Sequence, residues 1–156
     1  LGGVMSDRYV RRTGDLKWGR RLWGMVGYGL AGLFYLAAAG VKVAGPDNLW
    51  AFAAMLMLVG LTNDLIMAPA WAVCQDIGRR YAATVSGTMN MVGNLLGATT
   101  GILVTGQILK AFPGTTGVLV CFSLYGAIYW LGVVAWYFVD ASRPVDVDPQ
   151  ATSGTA

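Results

Sequence analysis

The sequence predicts an all-α protein embedded in a membrane, and three observations predict it. Apolar residue types make up 56% of the 156 residues and charged types 12%, against roughly 25% charged in an ordinary soluble domain. Mean hydropathy is +0.56. Four stretches, residues 22–41, 49–73, 82–109 and 116–139, each supply the ~20 mostly apolar residues that a helix needs to cross hydrocarbon. All four are too long for buried strands. They are rich in alanine and glycine, and Gly is commoner in membrane helices than in soluble ones.

Residues 1–21 come first and are polar and basic, holding six of the eleven Lys and Arg. Beside such apolar segments a basic cluster is expected to flank a membrane rather than to bind nucleic acid. Lys42 to Asn48 separates the first two spans with a Gly45-Pro46 break and the capping residues Asp47 and Asn48. Gln75 to Arg80 is a charged break carrying Gly78, and Phe112-Pro113-Gly114 is a short turn. Hydrophobicity ends at Asp140, and residues 140–156 read as a disordered tail with little to bury. The chain opens on Leu1 rather than Met, as expected of a segment of a longer protein.

Orientation follows from where Lys and Arg sit. Four crossings put residues 1–21, the middle break and the tail on one side. They hold Arg8, Arg11, Arg12, Lys17, Arg20, Arg21, Arg79, Arg80 and Arg143, against Lys42 and Lys110 opposite. Nine against two makes the first group cytoplasmic. Trp23, Trp50, Trp136 and Tyr137 fall near span ends, where amphipathic rings favour the headgroup zone.

The third span carries the most information. At ~100° per residue, Ser86, Asn90, Gly93, Asn94, Gly97, Ala98, Gly101 and Thr105 share one face. Met91, Val92, Leu95, Leu96 and Leu103 share the other, with Thr88 and Thr99. The repeat Gly93, Gly97, Gly101 lets backbones approach closely. Asn90 and Asn94 must turn to protein or water, because an unpaired amide in hydrocarbon is costly. They satisfy that either by packing on neighbouring helices or by lining a hydrated substrate cavity. In the second span, Thr62-Asn63-Asp64 lies deep in the sequence. Asp64 reads as a structural partner inside the bundle, as a proton-coupling or substrate group, or as a carboxylate near an interface. Pro69, five residues on, removes a backbone hydrogen bond and is expected to bend the helix. Trp71 reads as an interface anchor or a ligand platform.

The chemistry that could make an enzyme is missing. There are no His and no Glu residues, and Cys74 and Cys121 have no metal-ligand spacing. No catalysis, metal or other cofactor is expected. A non-transporting membrane scaffold or sensor remains the alternative to a transporter.

Two stretches carry a family resemblance. Gly3-Val4-Met5-Ser6-Asp7-Arg8, followed by Arg11-Arg12, resembles the Gly-x-x-x-Asp-Arg…Arg signature of the major facilitator superfamily. That signature lies in the cytoplasmic loop between helices 2 and 3, with a degenerate copy between helices 8 and 9. Four spans follow it here, so the resemblance implies helices 9–12 in the C-terminal half of a twelve-helix fold. Residues 1–21 would then be the end of helix 8 and loop 8–9. The stretch from Trp71 through Gln75-Asp76-Ile77-Gly78-Arg79-Arg80 to Asn90-Met91-Val92-Gly93-Asn94 is similar to the helix 10–11 region of the anion:cation symporter branch. Members often carry a proline farther along helix 11, where this chain reads Thr100 to Gly106 without one.

The resemblance implies an ion-coupled symporter of organic anions such as sugar acids, in the bacterial inner membrane, working by alternating access. A helix 11 asparagine recurs as a substrate contact in such transporters, which implicates Asn90 or Asn94, with Asn63, Asp64 and Trp71 behind. Gly3, Asp7, Arg8, Arg11 and Arg12 would form a conformational latch. The implied partners are the lipid bilayer, the N-terminal half of the same transporter, a small organic anion and a coupling ion, here a proton. The branch's cationic anion-binding group and main proton carrier belong to that other half, consistent with four spans that contain no Lys or Arg.

Overall fold

The computed structural model describes residues 2–45, 48–143 and 145, all of whose regular structure is helical. Six α-helices follow in order: α1 (Gly2–Thr13), α2 (Leu16–Ala44), α3 (Leu49–Gly78), α4 (Ala82–Val92), α5 (Thr99–Ala111) and α6 (Thr115–Phe138). A 3₁₀ turn, Arg79–Tyr81, joins α3 to α4, and a π-helical segment, Gly93–Ala98, joins α4 to α5. Pro46 and Asp47, and with them part of the first break, lie outside the described residues, as does the tail beyond residue 145.

Local chemistry sets the helix ends. Residues 1–21 contain the helix α1, stopped by Gly14 at φ +71, a conformation glycine adopts without strain. Asp15 then caps α2, its side chain accepting from the Trp18 N–H at 3.0 Å. Asn48 caps α3 in the same way, accepting from Ala51 N–H at 3.3 Å. The helix α2 runs to Ala44 and α3 to Gly78, so Lys42–Ala44 and Gln75–Gly78 are helical rather than loop. The helix α3 also continues through Pro69, which is fully buried.

Three helical stretches are long and apolar enough to cross a membrane: Leu16–Ala44, Leu49–Ala111 and Thr115–Phe138. The middle one has 63 residues, and straight it would reach about 95 Å at 1.5 Å per residue. It is not straight. Cys74 Sγ and Met89 Sδ, fifteen residues apart, lie 3.3 Å from each other, where an unbroken helix would separate them by roughly 22 Å. The reversal turns on Arg79 at φ +46, not on the neighbouring Gly78, where an added methyl group would stand 3.2 Å from Val85.

The helix α2 is the hub, packed between α3 and α6. Its seams are cut by glycine. A methyl group added to Gly24 would stand 2.3 Å from the Trp136 ring, and one on Gly27 would stand 2.5 Å from Ile66. On α6, one on Gly132 would meet the Tyr28 ring at 2.4 Å. Gly32 and Gly126 face one another closely enough that each would meet the other's carbonyl. Trp136 is therefore 8% exposed and an interior residue rather than a headgroup anchor, whereas Trp50 is 87% exposed. Each ring sits in the groove that a missing side chain leaves, which is how small residues let helices approach in hydrocarbon.

At one end of the bundle the basic residues of α2 gather three segments. Arg20 Nε donates to Asp76 at 2.9 Å, and Arg20 Nη1 donates to Asp7 at 2.6 Å and to Ser6 Oγ at 2.9 Å. Arg21 donates twice to the Val139 carbonyl and lies over the Trp18 and Tyr137 rings. Lys17 pairs with Asp140 at 3.2 Å. Hydrogen bonds from the Ser142 hydroxyl and N–H, helped by Lys17, hold the Asp140 carboxyl down at about 2.

Candidate functional site

The small, polar face of α4 and α5 is open along its glycines among the described residues, and touches α6 only farther on, at Thr105. A methyl group added to Gly93, Gly97 or Gly101 would touch nothing within 4 Å. Instead these glycines form one wall of an open cavity of about 590 Å³, with Tyr28, Tyr125 and Tyr129 on the wall opposite. A second hollow of about 560 Å³ continues along Gly101 and Thr105 to Leu109. The two walls touch where Thr105 and Tyr125 share a hydrogen bond. No charged side chain lines either hollow, so hydroxyls and backbone dipoles are their only polar groups.

The tyrosine wall is a connected unit. Tyr129 donates to Asn63 Oδ1 at 2.7 Å, so the α3 asparagine is bound to the cavity wall through a phenol. Tyr35 stacks on Tyr125 and Tyr129 with centroids 5.5 and 5.3 Å away, and Tyr28 lies 5.4 Å from Tyr129. Sequence reasoning passed over these residues. Their signal was spacing: Tyr125 and Tyr129 are one turn apart, and Tyr28 and Tyr35 two turns apart, so each pair shares a helix face. Tyr129→Phe should lower stability by about 1 kcal/mol, because the Asn63 oxygen loses its donor in a half-buried place. Unfolding of the purified protein in detergent measures it.

Asn90 lies about one turn before the cavity lining and Asn94 next to Gly93 at its edge, both exposed. Asn94 Nδ2 donates to the Asn90 carbonyl at 2.9 Å and to Asn90 Oδ1 at 3.0 Å. The two side chains thus hold each other, and the Asn90 amide NH₂ keeps both of its hydrogens free among the described residues. Asp64 is exposed and makes no hydrogen bond or ion pair among the described residues. It is next to Asn63 in sequence but about 100° around the helix from it. Trp71 is 37% exposed and, like Asp64, does not line the cavity. The structure therefore brings Asn63 to the cavity wall and Asn90 and Asn94 to its approach, and leaves Asp64 and Trp71 apart.

The five motif residues lie on α1. Gly3 packs toward Ala68 of α3. Asp7 is half exposed and has a partner within the chain, Arg20. Arg8, Arg11 and Arg12 are exposed, and Arg8 and Arg11 border a surface hollow of about 360 Å³ beside Asp7.

No family model matches the chain, and no solved structure matches it. Among curated proteins the chain is similar to the probable sulfoacetate transporter SauU of Cupriavidus necator, with 29% identity over 147 residues. The match takes in 94% of this chain and 32% of that protein, so the chain spans about a third of the relative's length.

Proposed function

We propose that the chain is part of an ion-coupled secondary transporter of organic anions, the last four helices of a twelve-helix major facilitator fold in the anion:cation symporter branch. The observation that carries this reading is a similarity to a transporter running over 94% of the chain. The share of the relative that is matched, 32%, suits four helices of twelve. The reversal at Arg79 supports two crossings for the 63-residue stretch, and so four in all. The end of the bundle bearing Arg20, Arg21 and Lys17 faces the cytoplasm of a bacterial inner membrane, as the basic excess favours.

In this reading the anion binds between two halves near mid-membrane, and rocking of the halves exposes it to each side in turn. The Asn90 amide offers N–H donors to the anion, and Asn94 orients it. Asn63, through Tyr129, sets the wall behind. Asp64 and Trp71 face the other half. Gly3 allows α1 to lie close on α3, while Asp7, Arg8, Arg11 and Arg12 reach groups of that half and close the cytoplasmic side. A proton supplies the driving force. The substrate is a small acid of the sulfoacetate or sugar-acid kind.

Uptake by the complete transporter in lipid vesicles tests the reading. An inward proton gradient should drive accumulation of labelled sulfoacetate or a sugar acid, and a protonophore should abolish it. A hydrogen bond to a charged group contributes about 1.5–3 kcal/mol, so Asn90→Ala should weaken apparent affinity roughly ten- to a hundredfold. Uptake that ignores the gradient would remove proton coupling. Absence of uptake for every acid tried would remove the transport reading.

A further inference from the structure

The segment Gly93–Ala98 is π-helical in the middle of an otherwise α-helical run. Such segments are rare, and each absorbs one residue more than the α-helix on either side of it. The Thr99 N–H reaches back five residues to the Asn94 carbonyl, and the Thr99 hydroxyl donates to the same carbonyl at 3.4 Å. At the other end, Asn94 Nδ2 donates to the Asn90 carbonyl, which also takes the Gly93 N–H. Side chains therefore brace both ends of the segment. Nothing else does: every residue from 87 to 100 is exposed, and Gly93, Gly97 and Gly101 are free of neighbours among the described residues.

We infer that Gly93–Ala98 is a register switch in the α4–α5 rod, and that Asn94 and Thr99 are positioning residues that hold it in the π form. If the extra residue were taken up into a regular α-helix, everything after it would turn by about 100° and advance by about 1.5 Å. Thr100 and Val104 would then take the places of Gly101 and Thr105. The bond between Thr105 and Tyr125 would break, and a branched side chain would stand against Tyr125 where a hydroxyl stands now. The cavity opposite the tyrosine wall would lose its glycine floor. Packing is sparse along this stretch, so beside the Thr105–Tyr125 bond the choice between registers falls to the two braces.

Cross-linking in the full chain in lipid reads the register directly and does not depend on whether anything is transported. In a background with Cys74→Ala and Cys121→Ala, a short thiol cross-linker should join the pair Thr105→Cys and Tyr125→Cys in preference to the pair Val104→Cys and Tyr125→Cys, because Val104 borders the same cavity but does not touch Tyr125 as Thr105 does. Adding Asn94→Ala with Thr99→Val should reverse that preference. Deleting Leu95 in the same double variant removes the extra residue without turning α5, so the 105–125 product should return. Retention of the 105–125 product after both braces are removed would overturn the switch. Loss of both products, with no recovery on deleting Leu95, would overturn it too. Loss with recovery supports it.

Discussion

Arg20→Ala is expected to be among the most destabilising single changes in this chain, lowering unfolding stability in detergent by about 3 kcal/mol. The guanidinium is 10% exposed and binds carboxylates from two different helices, Asp7 of α1 and Asp76 of α3, as well as Ser6. Ser6 in turn donates to the Gly19 carbonyl at 2.9 Å, so one side chain ties three helices at a single point. The two carboxylates do not contribute equally. Asp76 is 23% exposed and Asp7 is 51% exposed. Water screens the Asp7 pair toward the 0–1 kcal/mol of a surface ion pair, whereas the Asp76 bond keeps most of its charge-assisted strength. The expected order of cost is therefore Arg20→Ala, then Asp76→Asn, then Asp7→Asn. Arg20→Lys should recover only part of the loss, because an ammonium cannot reproduce the planar fork that serves Nε and Nη1 acceptors together. Thermal unfolding midpoints of the four variants test the order. Equal losses for Asp7→Asn and Asp76→Asn would show that exposure does not govern these pairs.

The apolar stretches are legible in the sequence because the requirement for ~20 uncharged residues is a one-dimensional rule. The helix α1 is not, since twelve residues with three arginines satisfy no such rule. Its order comes from Gly2 lying against the Leu65 carbonyl and from Arg20 reaching Asp7. Arg20 itself counts in the sequence only as one more flanking charge. Its burial depends on two carboxylates, 13 and 56 positions away, that no local pattern connects. Glycine patterns are legible in part. A Gly-x-x-x-Gly repeat says that a backbone can be approached, not what approaches it. The repeat Gly93, Gly97, Gly101 is the most regular in the chain and stays open, while the irregular set Gly24, Gly27, Gly32 makes the tight contacts. The tyrosine wall escapes notice for a related reason. An aromatic residue in a span suits a headgroup belt or an interior stack equally well, and only the partner decides. Asn90 and Asn94 are conspicuous as amides in an apolar run, but the π-helical segment in which Asn94 lies is not announced by composition.

Two glycines separate stability from cavity shape, and their substitution should have opposite consequences. Gly24→Val puts a branched side chain where a bare Cβ already comes within 2.3–2.7 Å of three Trp136 ring atoms. The indole is 8% exposed and fills the α2–α6 seam, so it cannot swing aside without opening that seam. Overpacking of this kind costs about 1–3 kcal/mol, with the upper end expected here because a rigid ring rather than a flexible chain must yield. Gly101→Ala meets nothing within 4 Å and removes a glycine from a helix, which stabilises by up to about 1 kcal/mol. Gly101→Leu should still fold, since its side chain grows into open space, but it fills the hollow facing Tyr125 and Tyr129. On the proposed function, it should therefore depress uptake by the complete transporter while leaving expression and unfolding temperature near those of the parent. Gly24→Val should depress all three together. The comparison is informative because both positions are glycines in apolar helices and differ only in what lies opposite. If Gly101→Leu lowered the unfolding temperature as far as Gly24→Val, the face carrying Gly93, Gly97 and Gly101 would be a packed seam in the assembled protein rather than the wall of a cavity.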